Sequence, residues 1–153
     1  MANVLYTKFL EVAFKNDLDW ETATIRVLLE RDTSTYAVNK DHDFVSDLTG
    51  LVEISVASYA RQTLAGGSVV LDDANDRIEL DCSDLAFGNL ESGQTVESLI
   101  FYQQIGGSDA TPADDVLICR IDTDAAPVLP AALAGGAFNV TINTEGLIQV
   151  FQP

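Results

Sequence analysis

Hydrophobic and polar positions along this chain fall into short strand-like runs broken by turn formers. "TIRVLLE" sets Ile25, Val27 and Leu29 against Arg26 and Glu30, with Leu28 as the one apolar intruder, and predicts a strand. After Leu51 the pattern is almost wholly of this kind. "LVEISVASYARQTL", "SVVLDD", "RIELDC", "ESLIFYQQI", "VLICRID", "AFNVTIN" and "LIQVF" are rich in β-branched and aromatic residues. Turns at Gly66-Gly67, Asn75-Asp76, Gly106-Gly107, Gly135-Gly136 and Glu145-Gly146 separate them. "VVLDDANDRIELD" places an Asp/Asn-rich turn between two such runs and predicts a hairpin. Helical spacing occurs twice. Leu5, Phe9, Val12 and Ala13 share one face across residues 5–15, with Glu11 and Lys15 four apart. Phe44 and Leu48 are also four apart, ahead of a glycine stop at Gly50, and predict one turn over 44–49. The expected fold is mainly β, an antiparallel sandwich or barrel with one or two short helices near the N-terminus. "GGSDATPADD" and "DAAPVLPAALAGG" read as surface loops.

A length of 153 residues fits a single domain spanning 1–153, and 47% hydrophobic residues with no low-complexity tract predict a packed core. Charge narrows the partners. Eight Lys and Arg face 24 Asp and Glu, a net charge of -16, which argues against nucleic acid as a direct partner because a phosphate backbone is bound by neutralising it. Lys8, Glu11 and Lys15 interrupt the apolar N-terminal segment, so no signal peptide is expected, and no run is long enough to span a membrane. Cys82 and Cys119 lie in strand-like runs without a CxxC pair, and two buried free thiols are expected.

"YAVNKDHDFVSDLTG" carries the one histidine of the chain, His42, between Asp41 and Asp43 with Ser46 and Asp47 behind it. Histidine oriented by an aspartate could activate Ser46, but no GxSxG elbow accompanies it, and one histidine without a CxxC pair is a poor zinc ligand set. A structural histidine is expected, with Phe44 and Leu48 packed inward and Asp41, Asp43 and Ser46 satisfying backbone amides at the turn. Acidic groups at 17–19, 72–84 and 113–115 lack the calcium-loop pattern, so aspartates that cap turns and strand ends are expected there. Arg77, inside the acidic hairpin, is expected to pair locally. The glycine pairs lack the GK[ST] of a phosphate loop, "NVT" at 139–141 lies within a strand run and is assigned no role, and Trp20 is expected in the core. The expected site is therefore empty in every class: no catalytic residue, no cofactor and no metal.

The order of landmarks "YTKFL", "LDWETATIRVLL", "DHDFVSDLTG", "YARQTL", "DDANDRIELDCSDLAF", "SLIFYQ" and "VLICRIDT" resembles a family of small virion structural proteins of tailed bacteriophages, over nearly the full length. The chain departs from that family at "NKDHD", where a proline is common, and at "LVEISVASYAR", which lacks the usual glycines. The resemblance implies a non-enzymatic capsid decoration or cement protein, made in the host bacterial cytoplasm and carried on the capsid exterior. It implies the major capsid protein or other virion proteins as partners and a homo-oligomer, with a trimer favoured. A neck, tail or baseplate component is the alternative, and a small hydrolase or carbohydrate-binding module is a third possibility of another class.

Overall fold

The computed structural model describes residues 3–123 and 127–151. The first three residues of the predicted loop "DAAPVLPAALAGG" lie outside them. The chain runs β1 (Val4–Leu5), α1 (Thr7–Phe14), β2 (Ile25–Arg31), a single 3-10 turn at Val45–Asp47, β3 (Gln62–Thr63), β4 (Ser68–Asp72), β5 (Arg77–Asp81) and β6 (Leu85–Leu90). It continues through β7 (Thr95–Gln103), β8 (Val116–Ile121), β9 (Ala131–Ala132), β10 (Gly136–Val140) and β11 (Ile148–Phe151). All strand pairings are antiparallel, and the architecture is sandwich-like and not a closed barrel.

The main sheet has the order β1-β8-β7-β2-β3, with β9 continuing along the side of β7 beyond the end of β8. Side chains alternate across it. Val27, Leu29, Leu99 and Phe101 enter the larger core, which is closed by Phe9 and Val12 of α1 and by Leu85, Phe87, Phe138 and Val140 of the β6–β10 pair. Leu28, Ile100, Tyr102 and Leu117 point the other way into a second core, closed by Tyr6 and by Tyr36, Val45 and Leu48 of the segment 36–51. Trp20 is buried in the larger core, and its indole N–H donates to the carbonyl of Asp81 at 2.8 Å. Gly67 is required beside it, because a Cβ there would lie 2.5 Å from the Trp20 carbonyl oxygen.

The outer sides of β8 and β2, which flank the central β7, are covered from within the chain. Along β8 lie β1 and then residues 43–45, with Val45 N–H donating to Asp115 O and Leu117 N–H to Asp43 O. Along β2 lie residues 52–54 and then β3, with Arg31 N–H donating to Val52 O and Ile54 N–H to Leu29 O. The predicted strand "LVEISVASYARQTL" is thus corrected: only Gln62–Thr63 is strand, and Glu53 makes one isolated bridge. The chain bows away in between, and the Tyr59 hydroxyl takes the missing ladder position by accepting the Leu29 N–H at 2.9 Å. The predicted turn at 44–49 is the 3-10 turn, followed by Gly50 at φ +83, where the glycine stop is needed. β6 was hidden by Gly88, whose φ of +74 accompanies a bulge opposite Phe138.

On the second face the sheet encloses charge. Arg120 donates to Glu30 Oε2 from Nε at 3.0 Å and from Nη2 at 2.8 Å, and to Asp122 Oδ2 from Nη1 at 2.5 Å. Ser98 donates to the same Glu30 oxygen. All four residues are buried, Arg120 to 1% exposure. Burial opposes the Arg120 charge, but Glu30 and Asp122 outweigh it and hold the guanidinium protonated.

Arg120→Met, which leaves two carboxylates buried without a cation, is expected to lower unfolding stability by about 3–5 kcal/mol in urea titrations. Replacing Glu30, Arg120 and Asp122 together by Met, Met and Leu should recover most of that loss. A cost below about 1 kcal/mol for Arg120→Met would show that the cluster does not hold the sheet. Cys82 and Cys119 are both free and buried, as expected. Burial, with the nearby Asp81 carboxylate, pushes the Cys82 thiol up to about 12, and burial raises that of Cys119 also. Their folded values exceed the unfolded one of about 9, so the stability from keeping them protonated is complete below about pH 9 and is lost as pH rises towards 12. Thermal melts between pH 8 and 11 should show this fall. In Cys82→Ser/Cys119→Ser it should shrink.

Candidate functional site

Besides the buried Glu30–Arg120–Asp122 cluster, polar side chains gather in three places, and each place was built by a different local need. In the segment 36–51, the Tyr6 and Tyr36 hydroxyls lie 3.2 Å apart, and the Tyr36 hydroxyl lies 3.1 Å from His42 Nδ1. The histidine thus ends a tyrosine chain that rises from the second core, and its ring is tilted against Tyr36 at 5.7 Å between centroids. Asp47 Oδ2 accepts the backbone N–H groups of Asp43 at 3.0 Å and Phe44 at 2.9 Å. This corrects the expected division of labour, in which Asp41, Asp43 and Ser46 were to cap the turn. The Asp41 amide instead donates to Asn39 Oδ1, and the Ser46 amide donates to Pro112 O. Val45 and Leu48 are buried, and Phe44, half-buried, faces the larger core with Lys8 over its ring. The structure does not bring Ser46 into a hydrogen bond with His42 among the described residues. The segment serves as the lid of the second core.

The second place is the outer rim of β2. Glu53 accepts from Arg61 Nε at 2.9 Å and Nη2 at 2.8 Å, and from the Tyr59 hydroxyl at 2.7 Å. Arg61 Nη1 reaches the Tyr102 hydroxyl at 3.0 Å, and that hydroxyl donates to Asp109 Oδ1 at 2.7 Å. Arg26 joins Asp109 to the Arg61 carbonyl. Burial and the adjacent carboxylates raise both phenols well above their ordinary range. Burial disfavours the Asp109 carboxylate, but hydrogen bonds from Tyr102 and Gln104 outweigh it and lower its pKa. The network pins the loop "GGSDATPADD" to residues 53–61. Sequence reasoning missed it because its members are far apart in the chain and each resembles a solvent-facing residue.

The third place is the sheet β4-β5-β11, which projects from the sandwich. Arg77 lies among Asp72, Glu79 and Glu145, with Nε 3.0 Å from Asp72 Oδ2 and Nη2 2.7 Å from Glu79 Oε1, and it also ion-pairs with Glu145. These three carboxylates offer oxygens within 4.8 Å of one another, the spacing of a cation site, and the guanidinium is the cation between them. The local pairing expected of Arg77 is present. At the hairpin tip Asp72 accepts from Ala74 N, Asn75 N and the Asn75 side chain, the last of which chiefly lowers its pKa. Asp76 adopts φ +51 to close the turn.

Register puts Val69, Leu71, Ile78, Leu80, Ile148 and Val150 on the opposite face of this sheet. That face begins in the core, where Ile148 is buried, and emerges at the tip, where Leu71 is 67% exposed. A groove around the tip is lined by Leu71, Ile78, Val150 and Phe151 together with Arg77 and the acids Asp72, Asp73 and Asp76. The sequence shows the hairpin but not its isolation, because "SVVLDD" has the same composition as a buried strand. No protein-family model matches the chain, and no curated protein or solved structure matches it. Among the described residues no helix is long and apolar enough to cross a membrane.

Asp47→Ala is expected to cost about 1–2 kcal/mol, since two backbone amides lose their acceptor. His42→Ala should cost about 0.5–1 kcal/mol, since one hydrogen bond at a half-buried ring is lost. Thermal unfolding of both variants measures the order. If His42→Ala proved the more damaging, the histidine would have a role beyond ending the tyrosine chain.

Proposed function

We propose that this protein is a non-enzymatic structural component of a tailed-bacteriophage virion, a decoration or cement protein bound to the outside of the head shell. The observation that carries the proposal is the division of the surface. The polar clusters are closed on one another, Arg61 with Glu53 and Arg77 with three carboxylates, while apolar side chains are offered to solvent on a projecting sheet. Such a surface suits docking better than turnover. The family resemblance of the landmark segments supports the virion context, and many copies on a symmetric lattice would turn a modest contact into firm retention.

The exterior is favoured on electrostatic grounds, because a chain of net charge -16 is repelled by packaged phosphates. A closed homo-oligomer, with a trimer at the threefold positions of an icosahedral shell, fits this role, and the major capsid protein would be the partner. A neck, tail or baseplate position is the second reading. Copy number separates the two: hundreds per particle belong to a shell, and a ring of about six or twelve to the tail axis.

Image reconstruction of the particle, with amine labelling of intact virions, tests the proposal. Many symmetric copies, labelled without opening the shell, are the expected outcome. Labelling only after the particle is opened, or retardation of DNA in a gel at physiological salt, would contradict it.

A further inference from the structure

We infer that β4 is an acceptor edge for an extended, basic segment of a partner chain, which adds as a fourth strand to the β4-β5-β11 sheet. β4 pairs with β5 on one side and with no other strand among the described residues, so its other side presents unpaired backbone groups. The outer sides of the long strands β8 and β2 are covered from within the chain by two-residue strands and irregular segments, whereas the five-residue β4 edge is neither shortened, covered nor interrupted by proline or lysine. Val69, Val70 and Leu71 expose their side chains along it, so an added strand would gain apolar contact as well as backbone hydrogen bonds.

Charge selects the occupant. The arm carries Asp72, Asp73, Asp76, Glu79, Asp81 and Glu145 against Arg77 alone, and Arg77 is already shared by three of these acids. A second copy pairing β4 with β4 would bring two such acidic arms together. A partner strand with Lys or Arg at alternate positions and β-branched residues between them meets both the carboxylates and the apolar face. The base of the arm is anchored for this work. Trp20 binds the Asp81 carbonyl, Ser83 N–H donates to Ala65 O, and Leu147 N–H extends the β5 pairing through Leu80 O. The inference concerns the isolated protein and stands apart from the virion role, which localisation tests separately.

The probe is an end-capped synthetic peptide of alternating Val and Lys, about as long as the five-residue strand it would pair with, and its Val/Glu counterpart is the control. Amide NMR shifts and hydrogen exchange of the intact protein follow binding. The Val/Lys peptide is expected to perturb residues 68–72 and to slow exchange at alternate β4 amides, with affinity falling as salt rises. Leu71→Lys should weaken binding about tenfold, and Asp73→Asn/Asp76→Asn about threefold, both with unchanged thermal melts. Absence of Val/Lys binding, binding that leaves β4 amides unprotected, or equal binding of the Val/Glu peptide would overturn the inference. So would a dimer in sedimentation that Leu71→Lys dissolves, since the occupant would then be a second copy.

Discussion

A β-sheet buried on both faces leaves the rest of its chain little freedom, because both faces and both edges must be covered at once. β2, β7 and β8 form such a sheet: Val27, Leu99 and Phe101 fill one core while Leu28, Ile100 and Leu117 fill the other. The β6–β10 pair and α1 are spent on the first face, and the segment 36–51 on the second. Irregular stretches cover the edges. This explains why so much of the chain between β2 and β4 lacks regular structure yet is tied down: Tyr59, Glu53 and Arg61 supply by side chain what a ladder would supply by backbone. Within the same constraint the Glu30–Arg120–Asp122 cluster must be complete, since a buried ion is tolerable only with its partners in place.

The arm obeys different rules. Its charged face is neutralised only in part by Arg77, its apolar face leaves the core and ends in solvent, and its outer edge is unpaired. A body whose long strands are covered along their outer sides and an arm whose β4 edge is not are a division of labour suited to an architectural protein, in which the body supplies rigidity and the arm supplies contact.

The pattern of short β-branched and aromatic runs between turn formers made much of the β architecture legible in the sequence, at β2, β4, β5, β7 and β8. It failed where side chains replaced the ladder, at 51–61, and where Gly88 broke the alternation of β6. The buried charges were hidden differently. Glu30 reads as the solvent-facing member of "TIRVLLE", although Leu28 beside Leu29, and Ile118 beside Cys119, signal burial on both faces. In "DHDFVSDLTG" the sequence shows five oxygen-bearing side chains for a turn of that size, and only geometry selects Asp47 as the one that takes two amides. The isolation of β4 could not be read at all, since exposure is a property of topology and not of "SVVLDD".

Amide hydrogen exchange on the isolated protein measures the contrast between body and arm most directly. The account predicts that β2, β7 and β8 amides exchange only through global unfolding, including those at the outer edge of β2. Alternate β4 amides pointing away from β5 should exchange far faster, at rates set by local opening. Uniform protection across β4, or rapid exchange along the outer edge of β2, would contradict the claim that the body covers itself and the arm does not.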